Sequence, residues 1–198
     1  MRSGADFEVY PEAIDPSALT AFRAGLAGAA AHEATVRADG EDQVVHRVRR
    51  TRRIAVADGL TELAQRSFAG LRPRLEARFS VGLGDCETPQ FLRYERGDRF
   101  AAHQDSSSDP AESDSPARRR VSAVLLLGSD ASPAAEGHRG GVLTFFDTSA
   151  TATWQTCRVP VDAPAGSVIA FPSDLVHEVT PVRSGTRLSV VTWFHTGS

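Results

Sequence analysis

Hydrophobic residues near the start of the chain recur at the spacing of a helix. Over residues 16–31, Leu19, Phe22 and Leu26 lie three or four positions apart. This spacing places their side chains on one face, and the Pro-Ser pair ahead of them is typical of a helix start. We therefore predict an amphipathic helix in this segment.

A second helix is predicted over residues 58–79, where leucine, alanine and phenylalanine again follow a helical period. Asp58 is a favourable N-cap residue, and Pro73 is expected to kink or interrupt the helix. Between the two helices, residues 44–56 mix valine and isoleucine with five arginines. This composition favours an extended strand with one face in water.

From residue 90 onward the pattern changes to short apolar runs that turn residues separate. Such strands, with no long helix between them, favour an antiparallel sandwich or barrel. Two of the runs, AVLLL and SVIAF, are almost wholly apolar and indicate strands that are buried on both faces. The predicted strands lie in residues 90–96, 120–128, 140–146, 157–163, 166–172 and 187–195.

Two polar segments between these strands are predicted to be surface loops. Residues 106–118 are rich in serine, aspartate and proline, and they follow a candidate site directly, which makes them a candidate lid. Residues 129–141 form the second segment. It ends in Gly140 and Gly141, which predict a tight turn or a bulge before the next strand.

Length and composition bound the class of protein. No repeat or linker interrupts the 198 residues, so we predict one domain, 1–198, in which a helical and extended segment (1–89) supports a core (90–195). The net charge of −3 gives no reason to expect nucleic acid or an anionic membrane as a partner. Two cysteines outside any CxxC spacing argue against a disulfide scaffold and a thiolate metal site. With no secretory signal and no bilayer-spanning apolar run, a cytoplasmic location is expected.

The strongest candidate chemistry is a metal site built from His103, Asp105 and His177. Residues two apart on an extended strand project to the same face, so His103 and Asp105 can reach one ion. A histidine from a neighbouring strand completes three ligands on one side of the metal. Two imidazoles and one carboxylate with open positions opposite suit non-haem Fe(II).

Plainer interpretations of these residues exist. An HxD pair is common by chance, and an isolated histidine is more often a structural residue. A zinc hydrolase would use the same ligand types. It would also need a general base such as the glutamate of an HExxH motif, whereas Glu178 directly follows His177.

The segments around the three residues resemble the prolyl-hydroxylase branch of the iron(II)- and 2-oxoglutarate-dependent oxygenases. They are similar in particular to bacterial relatives of the hypoxia-inducible-factor prolyl hydroxylases. The resemblance covers about half of the chain and rests on YERGDRFAAHQD, GGVLTFF and PSDLVHEVTPVRSGTRLSVVTWF. The last block is the most specific, because HEVTPV with an arginine ten residues after the histidine is much rarer than HxD.

The resemblance implies a double-stranded β-helix, or jelly roll, that is mainly β with flanking helices. It implies that the three residues bind iron and that 2-oxoglutarate chelates it, with the far carboxylate on Arg187. A guanidinium offers a bidentate fork to a carboxylate and keeps its charge when buried, which suits this role. Tyr94 and Ser189 are further candidate cosubstrate contacts. With O2, and ascorbate as a candidate reductant, the implied activity is hydroxylation of an unactivated C–H bond.

The chain departs from its relatives at one cosubstrate contact. Related enzymes often carry a YLN motif where this chain has LLG, so Leu126 replaces a tyrosine and predicts a more apolar pocket. Halogenases of the family lack the carboxylate ligand, which Asp105 supplies. Nucleic-acid demethylases usually carry a second arginine where this chain has Trp193. A prolyl or other residue in a peptide or protein, or a free amino acid, is therefore the expected substrate.

Two alternatives stay open at this point. A cupin-like jelly roll that binds a metal or small molecule without catalysis shares the ligand types but has no need for Arg187. The five arginines at 47, 49, 50, 52 and 53 are either the solvated face of a strand or a surface that recognises an acidic substrate.

Overall fold

The computed structural model describes residues 6–34, 36–38, 41–43, 48–106, 118–129, 137–146 and 158–197. The described helices are α1 (Pro16–Leu26), α2 (Asp58–Ala69) and α3 (Arg72–Phe79). The strands of the first half are β1 (Glu8–Tyr10), β2 (Ala31–Glu33), β3 (Val36–Ala38), β4 (Glu41–Gln43), β5 (Arg49–Arg50), β6 (Arg52–Ile54), β7 (Leu83–Cys86), β8 (Gln90–Tyr94) and β9 (Arg99–His103). Those of the second half are β10 (Arg119–Leu126), β11 (His138–Gly140), β12 (Leu143–Phe146), β13 (Arg158–Pro160), β14 (Val168–Pro172), β15 (His177–Val179), β16 (Val182–Gly185) and β17 (Arg187–Thr196).

Helix α1 forms where the sequence predicts it but ends earlier than residue 31. The Asp15 carboxylate accepts a hydrogen bond from the Ser17 amide at 2.8 Å, which caps the first turn. The helix stops at Leu26, and Gly28 then adopts a positive φ of 70° that a helix does not continue. The chain turns there and forms β2 in place of the predicted last helical turn.

The predicted helix over residues 58–79 is two helices, α2 and α3. The break falls at Gly70 and Leu71, and Pro73 lies in the first turn of α3, where its missing N–H costs no hydrogen bond. The expectation that Asp58 caps α2 is wrong, because Ala57 holds the N-cap position without a side-chain hydrogen bond. Asp58 is the first helical residue, where its charge still favours the helix dipole.

The arginine-rich strand predicted over residues 44–56 is shorter, and it changes sheets. β5 pairs with β9 in one sheet, and β6 pairs with β8 in the other. Thr51 lies between them, buried, and donates a hydrogen bond from its Oγ1 to the Arg93 carbonyl at 2.8 Å. Residues 44–47 lie outside the described part of the chain.

Most described strands belong to two antiparallel sheets. We call the larger one the major sheet, with the strand order β1-β14-β10-β17-β8-β6-β2 and β7 also paired to β17. The minor sheet has the order β13-β12-β15-β9-β5. Two further pairs, β11 with β16 and β3 with β4, stand apart from them.

The major sheet is buried on both faces, as the AVLLL and SVIAF runs predict. On one face Ala123 and Leu125 share a core with Phe22 of α1 and Phe68 of α2. On the other face, strand neighbours such as Val124 pack in a second core with Leu143, Phe145 and Val179 of the minor sheet. Successive residues of a strand alternate between faces, so a strand between two cores is apolar at every position.

The loop predictions are resolved only in part. Residues 107–117 and 130–136 lie outside the described part of the chain, so the candidate lid is not described. Within the second predicted loop, β11 forms a short strand. The bulge expected near Gly140 is present, since the register of β11 against β16 shifts between Arg139 and Gly140.

Removal of a core ring measures how far the helices stabilise the major sheet. Phe68 is 0% exposed at the helix–sheet interface, so Phe68→Ala is expected to lower the free energy of unfolding by about 3–5 kcal/mol. Chemical denaturation measures this. Phe79→Ala removes the same side chain from a partly buried position and is the matched control. An equal loss in the two variants would contradict the proposed core.

Candidate active site

The three candidate metal ligands meet where the paired strands β9 and β15 of the minor sheet end and begin. His103 ends β9 and His177 begins β15, and the two residues are directly opposite each other in the register of these strands. Asp105 lies just beyond β9, and its amide and that of Ser106 donate to the Ser173 carbonyl at 2.8 and 2.9 Å. Asp105 therefore reaches the site through a bend that these hydrogen bonds hold, and not along the continuous strand that the sequence suggested.

A bulge in β9 aims His103 at the site. Phe100 pairs with Val179 and His103 with His177. The two paired residues are therefore three positions apart in β9 but two positions apart in β15. The extra residue brings Phe100 and His103 to one face, where their rings stack with centroids 3.5 Å apart. The ring of Phe100 thus fixes the plane of one candidate ligand.

The donor atoms of the three side chains converge. His103 Nε2 lies 3.4 Å from Asp105 Oδ1, and His177 Nε2 lies 3.6 Å from Asp105 Oδ2. One ligand atom from each of the three residues lies within 4.8 Å of the others. Two atoms bonded to one ion at about 2 Å lie at most about 4 Å apart, so the two His–Asp separations fit a single ion. Among the described residues this is the one such group of histidines, cysteines and carboxylates.

Backbone carbonyls orient both imidazoles. The Nδ1 atom of His103 lies 2.8 Å from the Ala101 carbonyl, and that of His177 lies 2.9 Å from the Leu175 carbonyl. A carbonyl only accepts, so each Nδ1 carries the proton and donates it. In the neutral ring the lone pair is then on Nε2, which faces the other ligands, and metal-binding histidines commonly donate their other ring N–H to a backbone carbonyl in this way.

The Asp105 carboxylate is held ionised. Burial raises the pKa of this carboxyl group. The adjacent His177 and His103 and the Ser122 hydroxyl lower the pKa by more than burial raises it, so the pKa lies well below its usual range. Ser122 Oγ donates to Asp105 Oδ2 at 2.7 Å and lies 3.0 Å from Ser173 Oγ. An ionised, oriented carboxylate is the form that binds a cation.

His177 is neutral at neutral pH. Burial lowers the pKa of its imidazole to about 4, against the opposite effect of Asp105. A neutral ring can offer its Nε2 lone pair to a metal without first losing a proton. His177 and the Asp105 carboxylate therefore already have the protonation states that metal binding requires.

Arg187 is a buried cation with no carboxylate partner among the described residues. It is 2% exposed, its Nη1 donates to Ser189 Oγ at 2.8 Å, and its guanidinium carbon lies 5.0 Å from the centre of the Tyr94 ring. Burial lowers the pKa of Arg187, and Tyr94 raises it. A guanidinium stays charged in proteins, so an unpaired one in the interior calls for an anion.

The two other candidate contacts lie beside Arg187. Tyr94 pairs with Arg187 across β8 and β17, so their side chains share a face of the major sheet. Ser189 shares that face, as an i, i+2 neighbour on a strand should, and it is 0% exposed. Its hydroxyl accepts the hydrogen bond from Arg187, so the contact that the structure shows is with Arg187 itself.

A cavity of about 290 Å³ opens at Arg187. Apolar side chains of both sheets form part of its wall, among them Leu126, Leu143 and Ile169. The volume lies at the lower end of the range for small-molecule sites. A cavity with one buried cation and apolar walls fits a small carboxylic acid with a short aliphatic chain.

Sequence reasoning missed the residues that hold the ligands in place. Ser122 is 1% exposed and interrupts an apolar strand, which is the signal that could have singled it out. Arg119 forms a two-point ion pair with Glu87 at 2.5 and 2.7 Å, donates to the Asp105 carbonyl and stacks on Trp193. The three partners of Arg119 come from three separate segments of the chain, so no local pattern indicates them.

Comparison with known proteins establishes the family. Residues 89–195 match the model of the 2OG-Fe(II) oxygenase superfamily, which is more than half of the chain. A PKHD-type hydroxylase from Shewanella oneidensis is 34% identical over 105 residues, and one from Bordetella pertussis is 32% identical over 106. These matches cover 53% of this chain and 41% and 42% of the two relatives, so the chain spans about two-fifths of their length. The chain belongs to the 2OG-Fe(II) oxygenase superfamily.

Solved structures confirm the fold. A prolyl-4-hydroxylase from Pseudomonas putida superposes with a TM-score of 0.72 and 23% identity, over 98% of this chain and 94% of that one. A prolyl hydroxylase from Trichoplax adhaerens, in complex with a hypoxia inducible factor peptide fragment, gives a TM-score of 0.65 and 15% identity over 96% and 83%. The expected jelly roll, mainly β with flanking helices, is therefore confirmed.

Loss of the Ser122 hydroxyl should weaken the site without unfolding the protein. Ser122→Ala removes the hydrogen bond that orients Asp105, and the loss of a hydrogen bond to a metal-binding side chain typically lowers metal affinity by about 10–100-fold. Titration of the apoprotein with Mn(II) or Fe(II) measures the dissociation constant. Ser67→Ala, which removes a hydroxyl on α2, is the control, and equal affinity in both variants would contradict the role of Ser122.

Proposed function

We propose that this protein is an Fe(II)- and 2-oxoglutarate-dependent dioxygenase that hydroxylates an unactivated C–H bond. The substrate would be a prolyl or other residue of a peptide or protein, or a free amino acid. The observation that carries the proposal is a convergent His-Asp-His group in the same fold as a buried arginine without a carboxylate partner among the described residues. A metal-binding module without catalysis needs the first feature and has no use for the second.

Within this proposal, Fe(II) with bound 2-oxoglutarate and O2 supplies the oxidising chemistry, and 2-oxoglutarate leaves as succinate and carbon dioxide. His103, Asp105 and His177 would hold the ion through Nε2, one carboxylate oxygen and Nε2, on one side of it. The ligand types are those that suit non-haem iron and leave positions open for cosubstrate and oxygen. Arg187 would bind the distal carboxylate through its guanidinium N–H groups.

The protein's own groups would orient the reactants and exclude water. Phe100 and the Ala101 and Leu175 carbonyls keep the imidazoles in one orientation, so their Nε2 atoms would hold the ion from a fixed side. The aromatic rings of Phe145 and Phe171 lie against His177 on the interior side and keep that side dry. Water exclusion at the centre limits unproductive oxidation in the absence of substrate.

The family and the relatives support the finer parts of the proposal to different degrees. One solved relative of the same fold carries nickel and 2-oxoglutarate, and another carries a peptide fragment of hypoxia inducible factor. A peptide or protein substrate agrees with both the fold and the hydroxylase names of the sequence relatives. Ascorbate as reductant and a cytoplasmic location remain our expectations, and no described helix is long and apolar enough to cross a bilayer.

The described arginines of the arginine-rich segment make different contacts. Arg50 pairs with the buried Asp98, and Arg52 pairs with Glu95, so these two arginines fasten the β8–β9 turn. The guanidinium carbon of Arg49 instead lies 4.8 Å from the centre of the Phe100 ring, and this ring stacks on His103. Of the described arginines in this segment, Arg49 is the one that we propose faces an acidic substrate.

Substitution of a single metal ligand tests the enzyme directly. In protein loaded with Fe(II), 2-oxoglutarate, O2 and ascorbate, His103→Ala and Asp105→Ala are expected to abolish succinate formation while the fold persists. Succinate is measured by mass spectrometry. His32→Ala, at an exposed histidine of β2, is the matched control. Wild-type protein that binds the metal yet forms no succinate with broad candidate substrates would favour a non-catalytic binding module.

The role of Arg187 separates anchoring from charge. Arg187→Lys keeps a cation but loses the bidentate fork, so the KM for 2-oxoglutarate is expected to rise by about tenfold or more with a smaller change in kcat. Arg66→Lys on the exposed face of α2 is the control. An unchanged KM in the Arg187 variant would place the cosubstrate carboxylate elsewhere.

Substrate identity can be sought in a lysate. Proteins and small metabolites that gain one oxygen atom only when enzyme and 2-oxoglutarate are both present are candidate substrates. Arg49→Glu is then expected to weaken substrate binding while uncoupled turnover of 2-oxoglutarate continues. Equal loss of the two activities would contradict a recognition role for Arg49.

A further inference from the structure

We propose that the cosubstrate pocket accepts 2-oxo diacids longer than 2-oxoglutarate, with six carbons in the chain, and that Leu126 sets this limit. The inference rests on the proposed function, because it concerns the occupant of the same site. Its basis is the cavity beside Arg187, which has more room than a five-carbon diacid anchored there requires.

The position of the cavity is the first step. Its wall includes Arg187 but none of the three candidate metal ligands. The volume of about 290 Å³ therefore lies at the Arg187 end of the site, where the distal part of a diacid would be, and not at the candidate metal centre. A liquid water occupies about 30 Å³, so several waters or added methylene groups fit there.

The chemistry of the wall is the second step. Leu126, Leu143 and Ile169 come from three strands of the two sheets and line the space with aliphatic carbon. Ala163, which is 6% exposed, adds a small side chain to the same wall. Such a surface favours methylene groups over water, whereas Arg187 supplies the charge for a terminal carboxylate.

The side chain of Arg187 is held in place by its neighbours. A longer acid would therefore have to use the space beside the guanidinium. A Cβ atom on Gly141 would lie 2.9 Å from Arg187 Cδ and 2.9 Å from Val182 Cγ2. The bare backbone of Gly141, with a φ of 63°, therefore packs directly on the arginine stem, and Ser189 holds the guanidinium on the other side. The anchor is fixed, and the open volume next to it is the part of the pocket that can adapt.

The cavity also reaches the protein surface. Pro160 and Asp162 belong to its wall and are exposed, and His138 is half-buried there. A diacid whose chain bows away from the direct line between the ion and Arg187 can use this space. In a pocket closed around one acid, one extra methylene group is discriminated by about 10–200-fold. We expect much weaker discrimination here.

The test compares binding of 2-oxoglutarate and 2-oxoadipate to Mn(II)-loaded protein by calorimetry. The wild-type dissociation constants for the two acids are expected to agree within about tenfold. Leu126→Phe fills the cavity and should weaken 2-oxoadipate binding at least about tenfold more than 2-oxoglutarate binding. Leu126→Met, of similar volume, is the matched control and should leave the ratio unchanged.

A second filling variant guards against a folding defect. If thermal unfolding shows that Leu126→Phe is destabilised, Ala163→Val narrows the same wall by a smaller amount, and the same shift in preference is expected. Succinate or glutarate release in the iron-loaded enzyme provides an independent readout of which acid is used.

The outcomes separate the two proposals. Wild-type protein that binds 2-oxoglutarate but discriminates against 2-oxoadipate by more than about tenfold would overturn this inference and leave the proposed function intact. An unchanged ratio in both filling variants would also overturn it. Protein that binds neither acid in the presence of the metal would instead remove the proposed function.

Discussion

The pairing of β9 with β15 is the constraint on which the candidate site depends. It sets His103 opposite His177 and, through one extra residue in β9, turns Phe100 and His103 to the same face. A side chain on a strand changes faces when the register slips by one residue, so the loss of this bulge would point one imidazole away from the other. The hydrogen bonds of Asp105 to Ser122 and Ser173 then bring the carboxylate to the same place.

The two sheets divide the work between support and chemistry. The major sheet is buried between the helices and the minor sheet, and it carries Arg187, Tyr94, Ser189 and Ser122. The minor sheet carries both histidines at its ends. Because Arg187 and the candidate metal ligands belong to different sheets, the packing between the sheets fixes the distance between Arg187 and the His-Asp-His group. Preorganised sites depend on this kind of rigid support.

Two buried charged groups in the interior, the Asp105 carboxylate and the Arg187 guanidinium, favour the binding of ions of opposite charge. The carboxylate of Asp105 stays ionised although it is buried, and burial keeps His177 neutral. Arg187 is a cation without a carboxylate partner among the described residues. A cation bound at the first group and an anion bound at the second would compensate both local charges. A single 2-oxo diacid would link the two positions, because its keto acid end can chelate the cation while its distal carboxylate binds Arg187.

The sequence by itself predicted the candidate metal ligands and the two strands that are buried on both faces, and its resemblance to known oxygenases indicated the family and a role for Arg187. These features follow from local patterns: an HxD pair, an arginine ten residues after a histidine, and apolar runs without alternation. Residues that act through long-range contacts were beyond its reach. The bulge in β9, the Ser122–Asp105 hydrogen bond, the network around Arg119 and the volume beside Leu126 each join segments that are distant in the chain. Only the tertiary structure decided them, because strand register and the packing of the two sheets set those distances.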